Sequence, residues 1–359
     1  MNRIFELDVF RGLAIFIMIV VDAPPAYIYE ILQHAQWEGL TIADIAFPSF
    51  VFAMGMSAAI SSSRRILTWQ KIVRRAGLLF VLGIILNETW HISAYLFDEN
   101  FTSADLYSNA IKHFRLFGVL QRLALTYILG MAITKFFTSN GKIFMAAFVL
   151  LIVSSIGFHV YAENPFDEVN NISGALDLIF PTANHIYTPT GDPEGLYGTL
   201  SSTASMLFGF LAGRILIGSS TAREKIYQLA TFGVVLLIAG GLWSNFDIIA
   251  KKIWTAPFAL ITSGGSLIFI SALKFLNVKK FFQPLAALGK NPLLIFMASN
   301  VTVIFLITAG IWTGIFEWAR NFLPPISYEL QSTIHQLIWA TLWTLLAKFL
   351  NAKGIVIKL

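Results

Sequence analysis

Residues 31–55 read ILQHAQWEGLTIADIAFPSFVFAMG, and this stretch joins a polar segment to a mostly apolar one. His34, Trp37 and Asp44 come first, and an apolar run from Ile45 follows. A helix needs about 20 mostly apolar residues to cross the hydrocarbon core. Ionisable groups at the boundary of that core are costly and usually functional. The stretch therefore predicts a membrane helix whose outer end carries chemistry.

The composition of the whole chain agrees with a membrane protein. Of 359 residues, 56% are hydrophobic and 13% are charged, whereas soluble domains carry about a quarter of charged residues. The absence of cysteine excludes disulfides, thiolate metal sites and a cysteine nucleophile. No zinc motif, Walker loop or dinucleotide fingerprint occurs, so we expect no metal. The net charge of +5 is sorted by membrane side, which argues against nucleic acid as a partner.

Ten segments are long and apolar enough to be spans, which predicts an all-α polytopic bundle forming a single domain, 1–359. Eighteen of the 25 Lys and Arg residues fall on one side of this arrangement and five on the other. The positive-inside rule then places both termini in the cytoplasm, and the first segment is expected to be a retained helix and not a signal peptide. The predicted spans are 7–25, 45–62, 72–90, 114–136, 142–161, 198–218, 226–244, 254–274, 292–312 and 331–350.

The connection 162–197 is expected to be an extracytoplasmic loop. It carries six acidic residues and no Lys or Arg, and loops of this length are usually functional or disordered. Asp192 is expected to cap the next helix, with Pro193 as its first residue. Asp192 and Glu194 would also face solvent, where carboxylates could bind the ammonium of an amino sugar.

His34 is the leading candidate for catalysis, with Trp37 and Glu38 nearby in sequence. Its imidazole titrates near neutrality and can accept a proton, and Asp22 or Asp44 could fix its tautomer. The alternative is that His34 merely lies in an interfacial aromatic belt beside Trp37. Arg122 is predicted about 12 Å below the outer end of its helix, so we expect it to pair with Asp22 or Asp44.

Two cytoplasmic patterns are less specific. Asp8 and Arg11 lie three residues apart, so they are expected to neutralise each other across one helical turn. In LGKNPLLIF (288–296), Asn291 can cap a helix whose first residue is Pro292. With Lys290 beside it, that helix N-terminus is a possible phosphate site.

Five stretches together resemble the transmembrane acetyltransferases typified by heparan-α-glucosaminide N-acetyltransferase, especially bacterial members. The HAxWxGxTxxD…FPxFxF pattern is the most specific part, and the resemblance runs from the first helix to the last. It implies transfer of acetyl from cytosolic acetyl-CoA to an amino sugar across the membrane. The stretches are LDVFRGLAIFIMIVVD (7–22), HAQWEGLTIADIAFPSFVFAMG (34–55), FGVLQRLALTY (117–127), GDPEGLYGTLSS (191–202) and LGKNPLLIF (288–296).

The resemblance also implies roles for individual residues. His34 matches the catalytic histidine, and Asp44 matches the acid of TxxD. Asp22 stands where the family has an asparagine, so it would accept hydrogen bonds and orient His34. Ser299 stands where some animal members have a further histidine, so that histidine's role is not carried over.

The predicted donor site consists of Arg11, Lys290 and Asn291, which would bind the phosphates of CoA. The predicted acceptor site consists of Trp37, Arg122, Asp192 and Glu194.

The sequence therefore predicts an acetyl-CoA-dependent N-acetyltransferase of the bacterial inner membrane. His34 would act either as a general base or as an acetyl carrier in a ping-pong reaction. A sugar permease is the alternative, although transporters usually bind substrate near the bilayer midplane. A non-catalytic membrane scaffold is a third interpretation. The expected partners are acetyl-CoA, an amino sugar and the lipid bilayer, with a homodimer left open.

Overall fold

The computed structural model describes residues 3–277, 279–322 and 326–357, and these ranges are almost entirely helical. Lys358, counted above among the cytoplasmic cations, lies outside them. No β-strand occurs in these ranges, where one isolated bridge joins Thr188 and Gly191. The helices are α1 (Phe5–Val21), α2 (Ile42–Arg64), α3 (Trp69–Phe97), α4 (Ser103–Leu106), α5 (Val119–Phe136), α6 (Asn140–Tyr161), α7 (Ile172–Asp177), α8 (Thr199–Ile217), α9 (Ala222–Trp243), α10 (Ala256–Leu276), α11 (Gln283–Leu288), α12 (Pro292–Thr308), α13 (Ile311–Arg320) and α14 (Tyr328–Ala352).

Each of the ten predicted segments falls on a helix, but fewer are long and apolar enough to be counted as spans. Within the described ranges, six helices meet that requirement: α2, α5, α6, α8, α9 and α10. Helices α12 and α13 meet it only as a pair, and they are bent by 76° at their junction. The predicted segment 292–312 is therefore a broken helix, with Gly310 in the left-handed conformation at the break. The chain is a membrane protein with six or seven such spans, and ten crossings stay a prediction.

The centre of the bundle is formed by α2, α8 and α10. Between 72% and 78% of the most apolar stretch of each of these helices is buried inside the protein. The corresponding fraction for α9 is 22%. Helices α2 and α8 touch backbone to backbone because Gly55 lies against the carbonyl of Met206, where a Cβ would overlap it. Small residues allow this close approach between membrane helices. Helix α9 is left with a largely uncovered surface.

The two ends of the bundle bring different parts of the chain together. At one end Gly289 packs on the backbone of Asp8 in α1, while the Lys290 ammonium donates to Asn351 near the end of α14. At the other end the indole of Trp312 in α13 donates to the carbonyl of Ala23, just after α1. The start of α1 and the end of α14 therefore lie on the same side.

Candidate functional site

The His34 imidazole lies next to a buried carboxylate. Its Nδ1 is 2.9 Å from Oδ1 of Asp44. The carboxylate of Asp44 is almost fully buried, whereas 45% of the His34 side chain is exposed. An imidazole that donates Nδ1–H to a carboxylate leaves Nε2 free to accept a proton. The geometry is therefore suited to a general base that solutes can reach.

The first turn of α2 fixes the carboxylate of Asp44. Its Oδ2 accepts hydrogen bonds from the backbone N–H groups of Ala35 (3.1 Å) and Thr41 (3.2 Å) and lies 3.0 Å from the Thr41 hydroxyl. Thr41 and Asp44 form a capping box, which satisfies N–H groups left unpaired at a helix start. The same carboxylate thus anchors the helix and the loop that carries His34.

Lys251 completes this group and was not predicted from the sequence as a site residue. Its ammonium lies 3.0 Å from Nδ1 of His34 and 3.5 Å from Oδ1 of Asp44. Lys251 belongs to the loop between α9 and α10, more than 200 positions from His34 along the chain. The only signal in the sequence that could have indicated Lys251 is its place among the few cations predicted on the acidic side of the membrane.

No hydrogen bond joins Asp22 to His34 in the described ranges, so the orienting role of Asp22 stays a prediction. Asp22 follows the last residue of α1, and its side chain forms no hydrogen bond or ion pair among the described residues. Its carboxylate is nevertheless within electrostatic range of His34 and Lys251. Asp44 holds the imidazole because the chain at 33–41 folds back onto the start of α2, where the Thr41 hydroxyl donates to the carbonyl of Gln33.

A cavity of about 650 Å³ opens beside His34. Its lining includes Gln33 and the aromatic side chains of Tyr27 and Tyr328, while its floor is mainly apolar and reaches Val21 at the end of α1. The predicted acceptor residues Trp37, Arg122, Asp192 and Glu194 do not line it. All of its lining residues belong to the His34 end of the bundle.

The predicted pairing of Arg122 with Asp22 or Asp44 is wrong. Arg122 is fully buried, and its Nη2 donates to the carbonyl of Gly195 at 2.7 Å. The guanidinium also lies 5.4 Å from the ring centroid of Trp254, a cation–π distance. Arg122 therefore supports the 190–198 turn from below instead of joining His34.

Asp192 and Glu194 are paired with an arginine and do not face solvent. Arg115 holds Asp192 in a two-pronged contact (2.8 and 2.6 Å) and reaches Glu194 at 2.7 Å. Helix α8 begins after Gly198, so Asp192 is not its N-cap as predicted. Charge-assisted bonds to two carboxylates raise the pKa of Arg115 above its usual range. Asp192 and Glu194 therefore stabilise the 162–197 connection.

Asp177 ties the same turn to α7. Its two carboxylate oxygens accept the backbone N–H groups of Asp192 (3.1 Å) and Leu196 (3.0 Å). Burial raises the pKa of this carboxyl to about 6, although both hydrogen bonds act in the opposite direction. The connection predicted as a loop at 162–197 is thus an ordered structure containing a short helix.

Trp37 contacts the same connection, 162–197. Its indole donates to the carbonyl of Phe166 at 2.8 Å, and the ammonium of Lys252 lies 5.7 Å from its ring centroid. Trp37 and Asp192 line a smaller cavity of about 150 Å³, separate from the one at His34. In the described ranges, no three His, Asp or Glu side chains converge in a way that could hold a metal ion.

The predicted phosphate-binding residues lie at the opposite end of the bundle. The expected Asp8–Arg11 pair forms at 3.8 Å, and Arg11 also donates to the hydroxyl of Ser57 in α2. Asn291 precedes α12 as predicted, but its side chain does not cap that helix. Its amide binds the carbonyl of Ile355 and the N–H of Ile357.

Comparison with known proteins identifies the family of this chain. A sequence profile of the catalytic region of heparan-alpha-glucosaminide N-acetyltransferase matches residues 3–240. This match covers more than half of the chain and includes His34 and Asp44. The chain belongs to this family. The resemblance inferred from the sequence motifs is thereby confirmed.

Two mammalian relatives extend the similarity beyond the profile. The heparan-alpha-glucosaminide N-acetyltransferase of Mus musculus is 24% identical over 429 aligned positions, covering 100% of this chain and 61% of that protein. The Homo sapiens protein of the same name is 24% identical, covering 99% of the chain and 60% of its own length. The chain thus spans less than two thirds of these relatives. Lys251, Lys290 and Asn291 lie beyond the profile match but within the region that these two alignments cover.

Proposed function

We propose that this protein transfers an acetyl group from cytosolic acetyl-CoA to the amino group of a glucosamine-type sugar on the other side of the membrane. The observation that carries the proposal is the pairing of His34 with buried Asp44 in a chain of the acetyltransferase family. That pair lies at one end of the bundle, beside a cavity large enough for a sugar ring. We propose the bacterial inner membrane as its location and one domain as its organisation.

The chemistry assigned to His34 is proton transfer from the attacking nitrogen. The amino group of the sugar attacks the thioester carbonyl, a C–N bond forms, and the C–S bond to CoA breaks. Nε2 of His34 accepts a proton from the nitrogen and then gives it to the departing thiolate of CoA, which leaves as the thiol. Asp44 stabilises the imidazolium through Nδ1–H. His34 could instead carry the acetyl group itself, and ping-pong kinetics would distinguish that route.

The cavity beside His34 is the proposed acceptor site. Tyr27 and Tyr328 offer aromatic faces against which a sugar ring can pack, and Gln33 offers an amide. Asp22 lies within electrostatic range of His34 and could attract the ammonium of the acceptor. These residues replace the acceptor set predicted from the sequence.

The cationic end of the bundle is the proposed donor site. Arg11 pairs with Asp8 at 3.8 Å, Lys290 acts electrostatically on the same carboxylate, and Asn291, the next residue after Lys290, precedes α12. We propose that this group binds the phosphates of CoA. Helix α1, 17 residues and about 25 Å long, separates it from His34, so the acyl arm has to pass between helices. A homodimer is compatible with this arrangement.

The proposal is tested with two histidine variants in purified, detergent-solubilised protein. His34 and His159 make a matched pair, because each has a 45% exposed side chain and lies 2.9 Å from a buried aspartate. We expect His34→Ala to lower the acetylation of glucosamine by about 100-fold or more, and His159→Ala to retain it. Full activity of a folded His34→Ala variant would refute the proposed base. Uptake of sugar into vesicles without acetylation would indicate a permease.

A further inference from the structure

Lys251 places a primary amine at the imidazole proposed to act as the base. Its Nζ lies 3.0 Å from Nδ1 and 3.5 Å from Nε2 of His34. The lysine side chain is 20% exposed, so it lies mostly within the protein. In the proposed reaction an amino sugar brings the same functional group to Nε2. The amine of Lys251 therefore lies within reach of the same base as the acceptor's amine.

The loop between α9 and α10 holds Lys251 there. The backbone N–H of Gly39 donates to the carbonyl of Ile249 at 2.7 Å, tying this loop to the segment that carries His34. The N–H of Ala250 donates to the hydroxyl of Thr255 at 3.1 Å. Trp254 adopts a left-handed conformation (φ 50°) and is fully buried. The lysine thus extends from a well-anchored turn.

We propose that Lys251 is a self-acetylation site, modified by acetyl-CoA when no amino sugar is present. This inference rests on the function proposed above, because it uses the same donor and the same base. The Nζ–C bond forms as the C–S bond of the thioester breaks. The lysine ammonium loses two protons in total: one is released through His34 and the other ends on the departing CoA thiol. No oxidant or further reactant is needed.

Acetylation would change the site in two ways. It removes the positive charge that lies 3.5 Å from Asp44, and it leaves an acetamide beside His34 where the acceptor amine would bind. The modified protein is therefore expected to transfer acetyl groups more slowly than the unmodified one. Amino sugar competes with Lys251 for the donor, so acceptor should protect the lysine.

Lys252 provides an internal control for non-enzymatic acetylation. It is the next residue in the chain, its side chain is 39% exposed, and it pairs at 3.2 Å with Glu168 instead of His34. Simple chemical acetylation by acetyl-CoA favours the more accessible amine. Enzymatic acetylation favours the amine next to the base.

The test is to incubate the full-length protein with acetyl-CoA alone and to measure acetyl occupancy of both lysines by peptide mass spectrometry. We expect Lys251 to be acetylated, Lys252 to remain largely unmodified, and glucosamine to suppress the reaction. His34→Ala and His34→Gln should each slow modification of Lys251 by about 100-fold, while His159→Ala should not. Thermal unfolding of each variant checks that it is folded.

Three results would overturn the inference. Equal acetylation of both lysines that is insensitive to His34→Ala would show chemical modification only. Lys251 that stays unmodified when acetyl-CoA is given alone, in protein that acetylates glucosamine in a parallel reaction, would remove this inference and leave the proposed function intact. Failure of both glucosamine and Lys251 to accept acetyl would remove both.

Discussion

At the scale of single residues, the sequence predicted His34 as the catalytic residue and offered both Asp22 and Asp44 as the carboxylate that holds it, but it did not decide between them. Asp22 and Asp44 are each about ten positions from His34, and the family pattern favoured Asp22. The fold of residues 33–41 decides between them, because it returns the chain to the first turn of α2. A turn of this kind depends on contacts that no local sequence pattern specifies.

Neutralising the two aspartates should therefore have different effects. We expect Asp44→Asn to reduce acetyl transfer by about 100-fold, because the imidazolium loses its counter-charge. Asp22→Asn is expected to reduce transfer by less than about tenfold, because Asp22 does not hydrogen-bond to His34. Steady-state kinetics of the two variants provide the measurement. A greater loss with Asp22→Asn would return the orienting role to Asp22.

Arg122 and Arg115 show a second limit of prediction from sequence at this scale. Depth along the helix correctly indicated that Arg122 is buried and has a partner, but the partner is a carbonyl and an indole ring. Arg115, which precedes α5, is the arginine that pairs with acidic residues, namely Asp192 and Glu194. Charge and depth alone could not rank these pairings, because they are set by the path of the 190–198 turn.

Arg115 should be important for stability. Removing it leaves Asp192 and Glu194 buried without their cation, and such a loss costs about 3 kcal/mol. We expect Arg115→Ala to lower the free energy of unfolding by about 2–3 kcal/mol, and Arg115→Lys, which keeps the charge but not the two-pronged geometry, to lower it less. Denaturant unfolding in detergent measures both. Unchanged stability of Arg115→Ala would contradict the assigned role.

At the scale of helices, the apolar segments predicted the positions of the long helices well, but they did not predict where a helix breaks. Length and hydropathy place the long helices because lipid requires a run of apolar residues with internally satisfied backbone groups. The 76° bend after α12 and the short helices α7 and α11 depend on particular turns and contacts. The LGKNP turn is one example, since the start at Pro292 was predictable and the use of Asn291 to bind the chain end was not.

The contact between α1 and α11 gives a prediction at this scale. A Cβ at Gly12 would overlap the carbonyl oxygen of Leu285, whereas a Cβ at Gly77 in α3 would have nothing within 4 Å. Gly12→Ala is expected to destabilise the protein by about 1–3 kcal/mol through overpacking. Gly77→Ala is expected to be neutral or stabilising by up to about 1 kcal/mol. Thermal unfolding compares them, and equal effects would show that α1 and α11 are not closely packed.

At the scale of the molecule, the proposed function depends on two chemically different ends of the helix bundle. The sorting of Lys and Arg predicted that the start of the first helix and the end of the last helix lie on the same side of the membrane. Two contacts support that arrangement: Gly289 packs against Asp8, and Lys290 donates to Asn351. Which side faces the cytoplasm rests on the positive-inside rule. A passage between the ends could not be predicted from the sequence, because it depends on how the helices pack against one another.

The absence of native cysteine allows a direct test of sidedness. Glu163→Cys lies in the 162–197 connection, and Ser219→Cys lies between α8 and α9; both positions are exposed. We expect a membrane-impermeant maleimide to label Glu163→Cys in intact cells. Ser219→Cys should react only after permeabilisation, because the positive-inside rule predicts that its loop faces the cytoplasm. The reverse pattern would invert the topology and place the donor site on the wrong side.

The central claim is that an acetyl group given to the cationic end reaches an amine at the His34 end. Inside-out vesicles containing glucosamine should receive radiolabelled acetyl-CoA from outside, with His34→Ala and His159→Ala proteins in parallel. We expect labelled N-acetylglucosamine within the vesicles for the wild type and His159→Ala, and its near-absence for His34→Ala. Trapped sugar that stays unlabelled while acetyl-CoA is present, in vesicles of folded wild-type protein, would contradict the central claim.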